Sequence, residues 1–138
     1  MWRTEGAGEL YTYIPLTDEN REAQLAVPGS IEDSTYGFSI ARGSFYFPPG
    51  EWVTIAERVK LNSPEAHDGE VQIWINGELT IELKGIALRE SLDSLIQGLH
   101  FQTFFGGSTE DWATPTNQTA WFADVSGAVI VGKKGKKD

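Results

Sequence analysis

The chain has 138 residues, a length typical of a single domain, and it contains no cysteine, which excludes disulfides, thiolate nucleophiles and cysteine-based zinc sites. Its formal net charge is −9, and four of its eleven basic residues lie in the last six positions, so residues 1–132 carry seven basic and nineteen acidic side chains, a balance of −12. That balance argues against nucleic acid as a partner, and because no apolar run is long enough to span a bilayer, no membrane partner is expected.

Strand-like patterns dominate the first part of the chain. Residues 10–14 (LYTYI) alternate, and residues 17–25 (TDENREAQL) are compatible with a short helix. Residues 37–47 (GFSIARGSFYF) are rich in aromatic side chains and lead into a Pro-Pro-Gly turn, and residues 51–61 (EWVTIAERVKL) alternate again. Short alternating runs bounded by turn residues predict β-strands.

The clearest local signal is a hairpin over residues 70–83 (EVQIWINGELTIEL). Asn76 and Gly77 separate two alternating runs, and a type I′ turn needs positive φ at both central residues, which Asn and Gly tolerate best. Val71, Ile73 and Ile75 are predicted to share one face of the first strand, with Gln72 and Trp74 on the other.

Two further runs, residues 95–107 (LIQGLHFQTFFGG) and 119–132 (TAWFADVSGAVIVG), are also predicted as strands, with short turns near 91–98 and 108–113. Many short strands punctuated by glycine and proline predict an all-β fold, a β-jelly roll or two-sheet antiparallel sandwich. We expect one domain over residues 1–132. The lysine-rich residues 133–138 are expected to form a basic, disordered tail, with an electrostatic contact as the alternative.

Several phrases resemble one group of carbohydrate-active enzymes. The phrases MWRTEGAGELYTY, GEWVTIAERVKLN, GEVQIWINGE, IALR and HFQTFFGGSTEDWA occur here in the order found in the β-jelly-roll polysaccharide lyases, namely the alginate lyases of family fourteen and the fungal glucuronan lyases of family twenty. The resemblance covers nearly the whole chain. It implies a jelly roll with a concave groove for an acidic polysaccharide, which is cleaved by β-elimination.

The resemblance implies that Tyr11 and Tyr13, in the Tyr-x-Tyr phrase, belong to the active site. Two residues apart on a strand, their side chains leave the same face of the sheet, although packing between neighbouring aromatic residues would give the same pattern. Tyrosine titrates near pH 10, so a tyrosine base needs a nearby cation or a strong hydrogen-bond network. Arg3 is the nearest cation in sequence and is a candidate for binding the substrate.

Other candidate residues lie further along the chain. His100 and Gln102 are predicted to share a strand face; such residues bind or neutralise uronates in jelly-roll lyases, and His100 is a candidate for proton transfer. Trp74 is a candidate for stacking on a sugar ring, and Lys84 and Arg89 for binding a carboxylate. A structural role in the core, in a strand or at the solvated surface is the alternative for each. No cofactor is predicted, and the spacing of Glu32-Asp33 and Glu110-Asp111 fits no calcium loop.

The family pattern places a lysine and an arginine ahead of the Met-Trp-Arg phrase, and neither has a counterpart in the sequence. Two alternatives to a lyase therefore follow: a non-catalytic, lectin-like protein that binds glycans, or a shortened chain that forms a homodimer through exposed sheet edges. The expected location is cytoplasmic if the sequence is complete and extracellular if it belongs to a longer, secreted precursor.

Overall fold

The computed structural model describes residues 3–34 and 37–130, which fall into two units with the boundary between Leu95 and Ile96. The first unit holds two antiparallel three-stranded sheets and one α-helix. The first sheet has the order β1-β3-β2 and consists of β1 (Leu10–Thr12), β2 (Ile31–Asp33) and β3 (Gly37–Ile40). The second has the order β4-β5-β6 and consists of β4 (Ile55–Lys60), β5 (Gly69–Ile75) and β6 (Glu78–Ile86).

The two sheets pack against each other through alternating apolar side chains. Phe38 and Ile40 of β3 are buried in one core cluster with Ile73 of β5 and Ile81 of β6. A second buried cluster consists of Val71, Leu83 and Ile86. The prediction of an all-β sandwich of antiparallel sheets is therefore confirmed.

The predicted hairpin joins β5 to β6. Asn76 has φ of 51° and Gly77 has φ of 86°, as a type I′ turn requires. Val71 and Ile73 face the core, as predicted, and the opposite side chains, those of Gln72 and Trp74, are half-buried. The strand pairing is irregular at two places, between Gly69 and Glu70 and between Ile73 and Trp74.

The predicted run at residues 37–47 is a strand only as far as Ile40. Ala41, the next residue, has φ of 52°, a left-handed conformation that ends the extended backbone of β3. The chain then turns, and Tyr46 forms an isolated antiparallel bridge with Ala7. This return places residues 6–9 beside residues 43–47, where Gly8 N donates to Phe45 O (2.8 Å) and Phe47 N donates to Gly6 O (2.9 Å).

Helix α1 (Asp18–Leu25) begins after Thr17, whose side-chain oxygen accepts a hydrogen bond from Asn20 N (3.2 Å). Two polar side chains of the helix, Asn20 and Gln24, are fully buried. Asn20 Nδ2 donates to the carbonyl oxygens of Pro15 and Ala87 (2.8 Å each), and Ala87 N donates to Asn20 Oδ1 (2.7 Å). The helix is therefore attached to the segment after β6 by hydrogen bonds as well as by packing.

The described part of the second unit, residues 96–130, contains one 3₁₀ helix (Glu110–Trp112) and no strand. The strands predicted at 95–107 and 119–132 are therefore wrong for the described residues. An extended run becomes a strand only when a neighbour supplies its ladder hydrogen bonds, and no described residue pairs with either run. Phe101 and Phe122 contact each other edge to face, with ring centroids 4.9 Å apart.

The predicted basic tail at 133–138 lies outside the described residues, and a single domain over 1–132 stays a prediction. None of the helices in the described ranges combines the length and the apolar character that crossing a membrane requires.

Candidate functional site

Tyr11 and Tyr13 lie on the face of the first sheet that points away from the core. Tyr11 is paired with Ser39, whereas the neighbouring Thr12 is paired with Phe38, which belongs to the core. The alternation of side chains along β1 therefore directs Tyr11 outward, and Tyr13, one residue beyond the strand, lies beside it. Their ring centroids are 5.3 Å apart and their planes lie at 74°. Tyr13 is 81% exposed and Tyr11 is half-buried.

Gly37 lies beside the Tyr13 ring in the central strand of the sheet. Its φ is 98°, and a Cβ added there would come within 3.2 Å of Thr12 O and 3.4 Å of Tyr13 Cε1. A larger residue would therefore be strained in its backbone and would crowd the ring. Glycine at this position leaves room for Tyr13 next to Tyr11.

Arg3 lies over the Tyr11 ring, with its Cζ 5.3 Å from the ring centroid. This distance is within the range of a cation–π contact. The guanidinium is held from its other side, because Arg3 Nε donates to Glu9 Oε1 at 2.7 Å. The structure thus brings three sequence-predicted residues, Arg3, Tyr11 and Tyr13, together on one face.

Glu9 is the centre of a polar cluster beneath these residues, and its side chain is completely buried. Besides Arg3, it binds Arg42, whose Nε lies 3.0 Å from Glu9 Oε2, and it accepts a hydrogen bond from Ser39 Oγ. Arg42 Nε also donates to Ser39 Oγ (2.9 Å). A buried carboxylate is tolerated when it is paired with charge and hydrogen-bonded, as here.

The surroundings of Tyr11 favour its neutral form. Loss of solvent around the phenol raises its pKa above the ordinary value of 10, and a hydrogen bond with Tyr13 and the charge of that neighbour raise it further. The positive charge of Arg3 lowers the pKa, but only in part, and Asp33 raises it. At neutral pH Tyr11 is therefore a phenol that can donate a proton.

Trp74 and Lys84 lie on the outward face of the second sheet, on the other side of the core from the tyrosines. Trp74 is paired with Ala56 and Leu79, and Lys84 Nζ lies 2.7 Å from Glu82 Oε1. The structure does not bring them to the tyrosine pair, and their part in substrate binding stays a prediction.

Arg89 follows β6 and donates from Nε to Asn62 O (2.8 Å) and from Nη1 to Ser94 O (3.2 Å). It lines a small cavity of about 210 Å³, together with His67, Glu65 and Glu90. Its role as a substrate-binding residue stays a prediction.

His100 and Gln102 lie in the second unit and are both exposed. The strand expected to align them on one face is absent from the described residues, so that part of the prediction is wrong. Their roles in proton transfer and substrate binding stay predictions.

Three residues of the cluster were not candidates from the sequence: Glu9, Ser39 and Arg42. Glu9 had a usable signal, because it is two residues before Tyr11 and so continues the same strand face. Ser39 and Arg42 are thirty or more residues away from Glu9 in the chain, so only the pairing of β1 with β3 could identify them. Among the described residues, no group of three or more His, Cys, Asp or Glu side chains is arranged to hold a metal ion.

Comparison with protein families matches residues 1–125 to the family described as Polysaccharide lyase 14. Among solved structures, the chain is similar to the marine PL-14 alginate lyase from Aplysia kurodai, with 35% identity and a TM-score of 0.71. The similarity covers 83% of this chain and 44% of that enzyme, so the chain spans less than half of the enzyme's length. A comparison with curated protein sequences gives no significant match.

Proposed function

The chain belongs to the polysaccharide lyase 14 family, and on this basis we propose that it binds a uronic-acid polysaccharide, of the glucuronan or alginate type, and cleaves it by β-elimination. The observation that carries the proposal is the pair of tyrosines, with ring centroids 5.3 Å apart, on an outward sheet face with Arg3 beside them. This arrangement offers two phenols and one cation to a sugar that lies across the sheet.

The proposed chemistry needs a base, an acid and a cation. The base removes the proton from the sugar carbon that bears the carboxylate, and the electrons of that C–H bond form a double bond to the next ring carbon. The bond from that second carbon to the glycosidic oxygen breaks, and the oxygen takes a proton from the acid. A cation beside the carboxylate stabilises the charge that develops on it.

The tyrosine environment suggests how these roles are divided. The raised pKa of Tyr11 suits the acid, which must be protonated before the bond breaks. Tyr13, its exposed neighbour, is then the residue that faces the sugar proton. Arg3 is close enough to the pair to neutralise the carboxylate.

β-Elimination produces an unsaturated uronate that absorbs in the near ultraviolet, so the proposal can be tested directly. We expect absorbance to rise with glucuronan, polymannuronate or polyguluronate. Tyr11→Phe and Tyr13→Phe should each lower turnover by about a hundredfold or more, the scale of a lost acid or base. Tyr46→Phe, at a tyrosine that is exposed and outside the cluster, is the matched control and should leave turnover unchanged. Equal turnover in all three variants would contradict the tyrosine roles.

A second function, non-catalytic binding of glycans, is favoured by one observation. Tyr11 is a neutral phenol at neutral pH, its raised pKa extends this state to higher pH, and a neutral phenol donates hydrogen bonds to sugar hydroxyls without any chemistry. The exposed ring of Tyr13 offers an apolar surface for a sugar ring. Binding of these polysaccharides by calorimetry, with no rise in absorbance over long incubation, would favour this second function.

A further inference from the structure

Two guanidinium groups share one buried carboxylate beside the tyrosine pair. Arg3 and Arg42 carry two positive charges around the one negative charge of Glu9, and Asp33 adds a second negative charge near Tyr11. The chain as a whole has a net charge of −9. The two partly exposed guanidinium groups nevertheless place positive charge at the surface of an acidic molecule, where an anion can reach it.

Glu9 binds the two arginines in a way that leaves the terminal nitrogens of each guanidinium available as hydrogen-bond donors. Both arginines use Nε to bind the carboxylate, at 2.7 Å and 3.0 Å. Within residues 3–34 and 37–130, neither guanidinium donates a hydrogen bond from a terminal nitrogen. The side chains of Arg3 and Arg42 are 30% and 38% exposed, so a ligand can reach them.

Ser39 completes the support of the cluster from the central strand. Its hydroxyl donates to Glu9 Oε2 and accepts from Arg42 Nε at 2.9 Å. The Nε–H of Arg42 is thus shared between two acceptors, Glu9 Oε2 and Ser39 Oγ, which hold this end of the guanidinium beside the carboxylate. An arginine oriented in this way loses less side-chain entropy when it binds a ligand.

We infer that Arg3 and Arg42 together bind the carboxylate of a uronate residue, and that Glu9 is the positioning residue that orients both guanidinium groups toward this task. The inference deepens the proposed function and rests on it. A planar guanidinium matches the two oxygens of a carboxylate, whereas a neutral sugar offers only hydroxyl groups. The pair thus selects acidic sugars over neutral ones.

The role of Arg42 can be tested with calorimetric binding to the full 138-residue chain. The probes are trimannuronate and triglucuronate, with cellotriose as a neutral trisaccharide. Arg42→Gln should weaken binding of both acidic probes by about tenfold or more, the scale of a lost charge-assisted hydrogen bond, and leave cellotriose unchanged. The control is Arg21→Gln, which removes the same charge from an exposed pair with Glu32 and should change affinity by less than about twofold.

The role of Glu9 is tested by whether Glu9→Gln raises or lowers the affinity for the acidic probes. If Glu9 acted only through its charge, Glu9→Gln would strengthen anion binding, because a negative charge is removed. A positioning role predicts the opposite, a weaker affinity for the acidic probes, with partial recovery in Glu9→Asp. Glu32→Gln is the matched control, and thermal unfolding reports whether each variant folds. If Glu9→Gln fails to fold, Arg42→Gln still tests the site.

The outcomes separate this inference from the proposed function. If wild type binds the acidic probes and Arg42→Gln binds them equally well, the paired-arginine site is wrong and uronate binding stands. A gain of affinity in folded Glu9→Gln would overturn its positioning role. If wild type prefers cellotriose or binds no acidic probe, both the inference and the proposed function are wrong.

Discussion

Tyr11 experiences opposing influences from its neighbours. Loss of solvent and the hydrogen bond with Tyr13 raise its pKa, and Arg3, lying over the ring, lowers it. The net direction is upward, so the neutral phenol is favoured over the phenolate, which agrees with the role of proton donor proposed for Tyr11. The guanidinium of Arg3 thus offsets only part of the upward shift that burial and Tyr13 cause.

We predict that Arg3→Gln raises the pKa of Tyr11 further. The substitution removes the cation that stabilises the phenolate, so the phenol should ionise at higher pH. Ultraviolet titration of the phenolate, taken as the difference between each protein and its Tyr11→Phe derivative, measures this pKa. Arg21→Gln serves as the charge-matched control and should leave the pKa of Tyr11 unchanged. A lower or unchanged pKa in Arg3→Gln would show that the arginine does not act on this ring.

The residues of the site differ in how far the sequence could reveal them. The resemblance to the polysaccharide lyases identified Tyr11 and Tyr13, and strand alternation places both on one face, which Glu9, two residues earlier, continues. Arg42 could not be found in this way, since its place beside Glu9 depends on the pairing of β1 with β3 and on the turn at Ala41. Side-chain periodicity is local, whereas the register between strands is set by contacts distant in sequence.

Among the elements, the β5–β6 hairpin was the most predictable and the second unit the least. The hairpin depends on Asn76 and Gly77, whose backbone preferences act within four residues and need no partner elsewhere. The alternating run around Phe101 has a strand-like pattern as well, but no described residue pairs with it. Alternation predicts a strand only where the fold supplies a neighbouring edge.

We predict that Gly77→Ala destabilises the first unit by about 1–2 kcal/mol, the cost of a left-handed conformation for a residue with a Cβ. Gly77 has φ of 86°, and an added Cβ would meet nothing within 4 Å, so the cost is conformational and not steric. Gly98→Ala is the control, because Gly98 also has open space around it but no left-handed φ. Urea denaturation of both variants measures the difference, and equal free energies of unfolding would contradict the turn assignment.

For the molecule as a whole, ion-paired carboxylates link stability to pH. Hydrogen bonds from Arg58 and Lys60 lower the pKa of Glu70, and those from Lys84 and Gln72 lower that of Glu82, relative to the ordinary value of 4.5. A carboxylate with a lowered pKa in the folded state stabilises the fold above its unfolded pKa, and this contribution is lost as the pH falls through the folded value.

The free energy of unfolding should therefore stay level above about pH 5 and decrease below about pH 4.5, the region in which these carboxylates become protonated. Urea denaturation at several pH values measures this profile. Glu70→Gln should make the decrease in the free energy of unfolding at low pH smaller, because one of these carboxylates is then absent. Glu51→Gln is the control, since Glu51 makes no ion pair with a described residue. If Glu70→Gln and Glu51→Gln give the same profile of unfolding free energy against pH, the ion pairs of Glu70 do not cause the loss of stability at low pH.

Glu57 lies in the middle of β4, at an edge of the second sheet, between Ile55 and Val59 on the same strand face. Both of these apolar side chains are exposed. No described strand pairs with the outer edge of β4, and an unpaired edge beside an apolar stripe is a template on which another chain can add a strand. A carboxylate in the centre of the stripe opposes this, because an incoming apolar strand would have to strip it of water. Glu57 therefore makes the addition of an apolar strand at this edge costly in free energy.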